Sequence, residues 1–215
     1  MGTKIVYEGG EGELIEKKSR FIATVKPVDT EEEALEFIAE LKKKYWNATH
    51  NCFAFVIGER QEIQRCSDDG EPQGTAGIPI LEVMKKSNIT DCAVVVTRYF
   101  GGVLLGTGGL TRAYTKGASI ALKAGGVVEK VQGVKVSLTL DYDMIGKVQY
   151  FCGQNNWHIE DTEYTDKVII HILAEVSVAE EIEKEAIEAS NGKIIVEKSK
   201  PEVYFKEENR LYSII

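Results

Sequence analysis

What this 215-residue sequence lacks restricts the kinds of protein that it can be. It has no Cys-x-x-Cys pair and only three histidines, so the common zinc motifs are missing and we expect no metal. No apolar run approaches the ~18 residues of a membrane helix, and the first residues lack the apolar core of a secretory leader. Basic charge is not in excess either, because 26 Lys and Arg against 34 Asp and Glu give a net charge of −8. This balance argues against a general electrostatic attraction to nucleic acid.

The cysteines indicate a reducing environment. Most of them lie among apolar or strand-forming residues, where reduced cysteine packs as a small hydrophobic group. The four are Cys52, Cys66, Cys92 and Cys152. We predict four free thiols, a cytoplasmic protein and no contact with membranes.

The charge is uneven along the chain, and this indicates two domains. Residues 1–130 carry 17 basic and 18 acidic side chains, whereas residues 131–215 carry 9 and 16. Gly125-Gly126 is typical of a helix end, and we interpret residues 127–132 as a linker. The patterns that follow predict the order β-α-β-β-α-β of ferredoxin-like domains. The sequence therefore predicts an α+β protein with domains at residues 1–130 and 131–215.

A glycine-rich segment separates a central strand from a helix that we predict to begin near residue 110. Glycine lets a ligand approach the backbone, a helix start attracts anions, and arginine pairs with phosphate. The candidate anion-binding residues are Arg98, Gly101, Gly102, Gly106, Gly108, Gly109 and Arg112. The spacing fits neither a P-loop nor the dinucleotide fingerprint, so we expect no cofactor. A purely structural turn is an equal alternative.

An earlier polar loop, residues 67–77, concentrates three carboxylates. Carboxylates can hold a cation or move a proton, but their spacing fits no calcium loop. One histidine precedes the loop in the sequence, and without a nucleophile-elbow motif we predict a structural role for it. The candidate ligand-binding residues here are His50, Asp68, Asp69, Glu71, Gly74 and Thr75. No catalytic residue is assigned.

Three segments carry a family resemblance. Residues 47–52 are NATHNC, residues 68–79 are DDGEPQGTAGIP, and residues 98–114 are RYFGGVLLGTGGLTRAY. Together they resemble the IMPACT/YigZ family, and residues 133–210 resemble the second domain of its bacterial members. The resemblance implies a first domain with a β-α-β fold like that of a ribosomal protein and of elongation factor G. It implies a ferredoxin-like second domain.

Two hypotheses of different class follow from this resemblance. The favoured one is a translation-associated binding or regulatory protein that contacts RNA or the ribosome through residues 1–130. Its acidic second domain would then be available to a protein partner. The alternative is an enzyme that acts on a small phosphorylated or nucleotide ligand at the glycine-rich loops. Eukaryotic relatives act through a kinase-activating partner and carry a further N-terminal domain, so we do not expect that role here.

Overall fold

The computed structural model describes residues 3–213, which form two compact units at residues 3–128 and 129–213. Both are mixed α/β structures, and five α-helices are distributed between them. None of the helices in these residues is long and apolar enough to cross a membrane.

Unit 1 is built on a five-stranded antiparallel sheet. The strands of this unit are β1 (Thr3–Val6), β2 (Gly10–Glu16), β3 (Ser19–Pro27), β4 (His50–Ile57), β5 (Ile63–Ser67), β6 (Ile89–Thr90) and β7 (Cys92–Tyr99). Its helices are α1 (Glu31–Lys44), α2 (Gly77–Lys86) and α3 (Gly106–Ala124). The order within the five-stranded sheet is β2-β3-β7-β4-β5, and β1 pairs with β6 in parallel.

The central strand β7 is buried on both faces. Val94 and Val96 face the core under α2 and α3, while Ala93 and Val95 face the core under α1. A strand covered on both faces favours apolar residues at successive positions, which explains the apolar run from Cys92 to Val96. The strand therefore lies in the middle of unit 1. It ends at Arg98-Tyr99, and the glycine-rich segment follows it.

Thr30 and Glu33 match the sequence of a reciprocal capping box at the start of helix α1, and one half of that box forms. The Thr30 hydroxyl accepts a hydrogen bond from the Glu33 N–H at 3.2 Å, which satisfies one of the free donors of the first turn. The Glu33 carboxylate accepts from the N–H of Asp29 rather than that of Thr30, at 2.8 Å. Glutamates in the first turn and lysines in the last complement the helix dipole.

Helix α3 begins earlier than predicted. Gly106, Gly108 and Gly109 lie in its first turn, so the glycine-rich loop is confined to residues 100–105. The prediction of a start near residue 110 was wrong because glycine disfavours helix by about 1 kcal/mol. The rest of this 19-residue helix, whose buried face packs on the sheet, outweighs that local preference.

Unit 2 follows the order β8 (Val127–Leu140), α4 (Ile145–Gln154), β9 (Ile159–Tyr164), β10 (Val168–Glu175), α5 (Val176–Ser190) and β11 (Ile195–Lys198). The sheet order is β9-β10-β8-β11, and every neighbouring pair is antiparallel. Both helices contribute side chains to one core, which also holds Val136, Leu138 and Ile170 of the sheet.

The predicted linker at residues 127–132 is wrong, because these residues form the first half of β8. Residues 129–132 pair with β12 (Glu202–Glu207), which forms a hairpin with β13 (Arg210–Ser213). Gly125-Gly126 does end α3, but three of the six residues that follow are valines, which favour strands. Their partner strand lies about 70 residues away and leaves no local signal.

Candidate functional site

A buried ion pair lies at the centre of the candidate residues in unit 1. Arg98 at the end of β7 and Glu71 in the polar loop are 5% and 7% exposed. Arg98 Nη1 donates to Glu71 Oε1 over 2.6 Å, and the Tyr114 hydroxyl donates to the same oxygen over 2.8 Å. The sequence predicts that Arg98 contacts a bound anion. In the structure its anionic partner is the carboxylate of Glu71, which belongs to the same chain.

The guanidinium of Arg98 is also enclosed by aromatic rings. Its central carbon lies 5.4 Å from the ring centre of Phe21 and 5.6 Å from that of Phe100. Nη2 donates to the Ser19 hydroxyl over 3.3 Å, whereas Nε–H has no acceptor among residues 3–213. Burial raises the pKa of Tyr114 far above its usual value, so this hydroxyl keeps its proton and remains a donor to Glu71.

Asp68 folds the polar loop around its carboxylate. Three backbone N–H groups donate to it, from Gly74, Ala76 and Gly77, over 2.8–3.0 Å. Burial alone would raise the pKa of Asp68, but these three donors outweigh it and the pKa is lowered. Gly74 has φ +75°, a conformation that glycine adopts without strain, and the Thr75 hydroxyl donates to the Pro72 carbonyl over 2.6 Å.

Asp69 and His50 form the outer part of this network. The Asp69 carboxylate accepts from Lys42 Nζ and from the Asn51 N–H, both over 2.6 Å. Burial alone would raise the pKa of Asp69. The hydrogen bonds from Lys42 and Asn51 outweigh burial, so the net pKa of Asp69 is lowered. The Asp69 carbonyl can only accept, so the 2.8 Å contact to His50 Nδ1 assigns the proton to that nitrogen.

The other nitrogen of His50 faces Glu71. Nε2 lies 3.8 Å from Glu71 Oε2, which is close enough for an ion pair but long for a direct hydrogen bond. A protonated ring would donate toward the carboxylate, whereas a neutral ring would place two acceptors opposite each other. The His50 side chain is 18% exposed and that of Asp69 is 26% exposed, so the network meets solvent at both residues.

The predicted residues divide into two groups. The carboxylate group, defined by the network just described, brings together His50, Asp68, Asp69, Glu71, Gly74, Thr75 and Arg98. Gly101 joins it through a 3.2 Å bond from its N–H to Ser19 Oγ, the atom that also accepts from Arg98. Gly106, Gly108, Gly109 and Arg112 lie instead on the first two turns of α3, while Gly102 has φ +79° and open space beside it.

Arg112 lies beside a separate small cavity of about 200 Å³. We call this cavity the α3 groove; it is lined by Leu14, Glu16, Lys17, Leu105, Gly109, Arg112, Ala113 and Lys116. Its basic side chains have no ion-pair or hydrogen-bond partner among residues 3–213. The groove therefore carries three uncompensated cations and one carboxylate.

Several residues of these groups were missed by sequence reasoning. Tyr114, Ser19 and Lys42 complete the carboxylate group, and Lys17 reaches the α3 groove. Each comes from an element distant in sequence from its partners, so local patterns contain no signal for it. Among the described residues, no group of three or more His, Cys, Asp or Glu side chains is placed to hold a metal ion.

The thiols are expected to react slowly in the folded protein. Burial raises the pKa of Cys52 and Cys152 to about 12 and raises that of Cys92 as well. The thiolate is the reactive species, so iodoacetamide at pH 8 should modify these three only after urea unfolding. Cys66 is partly exposed and should react first. Mass spectrometry measures the alkylation rate of each cysteine in the folded and the unfolded protein. Equal rates for Cys52 in the two states would contradict its burial.

The fold and site define a two-unit α/β protein whose polar loop is held by a buried Glu–Arg pair. Residues 17–122 match the Impact N-terminal domain, and residues 138–193 match a domain of unknown function, DUF1949. The IMPACT family member YvyE of Bacillus subtilis is 45% identical over 87% of each chain. The IMPACT family member YigZ of Escherichia coli is 33% identical over 83% of this chain and 88% of its own. The chain therefore belongs to the IMPACT family.

Two further comparisons differ in extent. Protein IMPACT of Homo sapiens is 35% identical over 98 residues, which are 43% of this chain and 30% of that protein. A crystal structure described as a hypothetical protein is 30% identical and covers 91% of this chain and 97% of its own, with a TM-score of 0.58. The bacterial relatives thus match most of this chain, and the human protein matches less than half of it.

Proposed function

We propose that this chain is a cytoplasmic, translation-associated binding protein that contacts RNA through unit 1. The observation that carries the proposal is the charge of α3. From residue 92 to residue 128 the chain has four basic side chains and no Asp or Glu. One of the four, Arg98, is neutralised by Glu71, and the other three lie on α3.

The three remaining cations lie along the exposed side of α3. Arg112, Lys116 and Lys123 are exposed and have no partner among the described residues. At 1.5 Å per residue, Arg112 and Lys123 are about 16 Å apart along the helix axis. A row of separated cations of this length suits a polyanion better than one small anion.

The carboxylate group supports binding rather than catalysis. The carboxylates of Asp68, Asp69 and Glu71 all accept hydrogen bonds from within unit 1. In the sequence alone, the carboxylates of the polar loop favour the enzyme hypothesis. Their hydrogen bonds within unit 1 give the loop a structural role instead. Cys52 beside it is protonated at neutral pH and is a poor nucleophile.

The element order of unit 2 supports the proposal, because it is the order expected of a ferredoxin-like domain. Unit 2 has the strand order β9-β10-β8-β11 with two helices packed on the sheet, as a ferredoxin-like domain would. Such a domain following a β-α-β domain in one chain is the combination expected from elongation factor G. The human relative matches less than a third of its own length, so its wider role is not carried over.

A binding experiment with the full chain tests this proposal. Fluorescence anisotropy with a labelled single-stranded RNA should give an affinity that falls with salt at a log–log slope of about −2 to −4, since few phosphates are contacted. The double variant Arg112→Ala, Lys116→Ala should weaken binding by about 1–3 kcal/mol for each charged hydrogen bond that it removes. Its stability should stay within about 0.5 kcal/mol of the parent, because both side chains are exposed.

The matched control is Lys43→Ala with Lys86→Ala, which removes two other exposed lysines of unit 1 that have no partner within residues 3–213. Equal losses in both double variants would indicate a general charge effect and contradict a site on α3. If the parent chain fails to bind RNA or ribosomes at low salt, the proposal is wrong. The phosphorylated small-molecule hypothesis would then lead.

A further inference from the structure

The turn between β2 and β3 has an unfavourable sequence for its geometry. Glu16 pairs with Ser19, so only Lys17 and Lys18 connect the strands. Both have positive φ, 45° and 69°, as a tight two-residue hairpin turn demands. Asn-Gly is the usual sequence there, because other residues are strained in this conformation. Two lysines at such positions are a reason to look for a function.

Lys17 lies beside a cavity that can hold a ligand. Lys17 lines the α3 groove with Arg112 and Lys116, so three basic residues from two elements border a cavity of about 200 Å³. Glu16 is the one carboxylate in the lining, which leaves a net charge of +2. Leu14, Leu105 and Ala113 supply apolar surface beside the cations. An anion with several acceptor oxygens and an attached apolar part fits this lining.

We propose that the α3 groove binds a phosphate group and that Lys17 is one of its ligands. This rests on the proposed function for its RNA source, since a phosphodiester of RNA and a free phosphorylated small molecule present the same chemistry. Arg112 can pair with two phosphate oxygens at once, whereas Lys17 and Lys116 act as compact charges. The strain at Lys17 and Lys18 then has a purpose that Asn-Gly could not serve.

The carboxylate group holds the lysine turn in place. Ser19, directly after the turn, accepts hydrogen bonds from Arg98 Nη2 and from the Gly101 N–H. Gly101 itself packs on the backbone of Lys18 so closely that a Cβ there would overlap it. The Glu71–Arg98 pair therefore positions the turn that carries Lys17. In this way the carboxylate group supports phosphate binding in the α3 groove.

The test replaces the turn with its preferred sequence, Lys17→Asn with Lys18→Gly. Relief of strain should leave the thermal midpoint equal or higher. Affinity for a labelled 12-nucleotide single-stranded RNA should fall by about 10- to 100-fold, the size expected when one charged hydrogen bond is removed. The single variant Lys17→Gln keeps a long side chain and should also lose affinity. Lys43→Ala with Lys86→Ala is the charge-matched control and should lose little.

Inorganic phosphate and pyrophosphate, titrated by calorimetry, distinguish the two sources. Binding of either by the parent and loss in the turn variant would support a free phosphate ligand even if RNA does not bind. RNA binding that millimolar phosphate does not displace would support the phosphodiester. If the turn variant binds RNA as well as the parent while Arg112→Ala, Lys116→Ala does not, the role of Lys17 is wrong and the proposed function stands.

Discussion

Replacing Glu71 with alanine should lower the free energy of unfolding by about 3–5 kcal/mol. The change leaves the buried guanidinium of Arg98 without its carboxylate and the Tyr114 hydroxyl without its acceptor. Domains are stable by only about 5–15 kcal/mol, so this variant should unfold at a much lower urea concentration. Urea unfolding followed by circular dichroism measures the effect.

Two controls separate the unpaired charge from the loss of packing. Glu71→Leu with Arg98→Met removes both charges at similar volume and should be much more stable than Glu71→Ala. Removal of the exposed carboxylate in Glu13→Ala breaks its surface pair with Arg20 and should change the urea midpoint far less than Glu71→Ala does. A loss below about 1 kcal/mol for Glu71→Ala would show that the buried pair contributes little to folding.

Gly101→Ala should be the second large effect, at about 3 kcal/mol. A Cβ at residue 101 would overlap the backbone of Lys18 and Ser19, which cannot move without disturbing the β2–β3 turn. RNA binding should fall together with stability, because the same turn carries Lys17. Thermal unfolding and anisotropy on one preparation give both values.

The neighbouring glycine provides the control. Gly102 has φ +79°, and apart from its own atoms and its chain neighbours no described residue lies within 4 Å of the position that a Cβ would take there. Gly102→Ala therefore meets only backbone strain of about 1–2 kcal/mol. Its binding should stay near that of the parent. Equal losses of stability in the two variants would show that the close contact between Gly101 and the turn is not what makes glycine necessary.

Much of this organisation could be predicted from sequence, because it depends on neighbours along the chain. The cap of α1 needs only Thr30 and Glu33, and the apolar run of β7 shows a strand covered on both faces. The element order of unit 2 follows from alternating periodicities. Local patterns failed where the partners are distant in sequence. The first half of β8 was predicted as a linker, because its partner strand β12 lies far along the chain.

The sequence by itself determined the segments in which the candidate residues lie, and the tertiary structure decided which of those residues contact one another. Arg98 and Arg112 look equivalent beside the glycines, yet one is buried against Glu71 and the other is exposed without a partner among residues 3–213. Glu71 precedes Arg98 by 27 residues, and Lys17 is still farther from Arg112. Such pairings depend on strand order and register, and the energy of a charge depends on burial. Neither quantity exists until the sheet has formed.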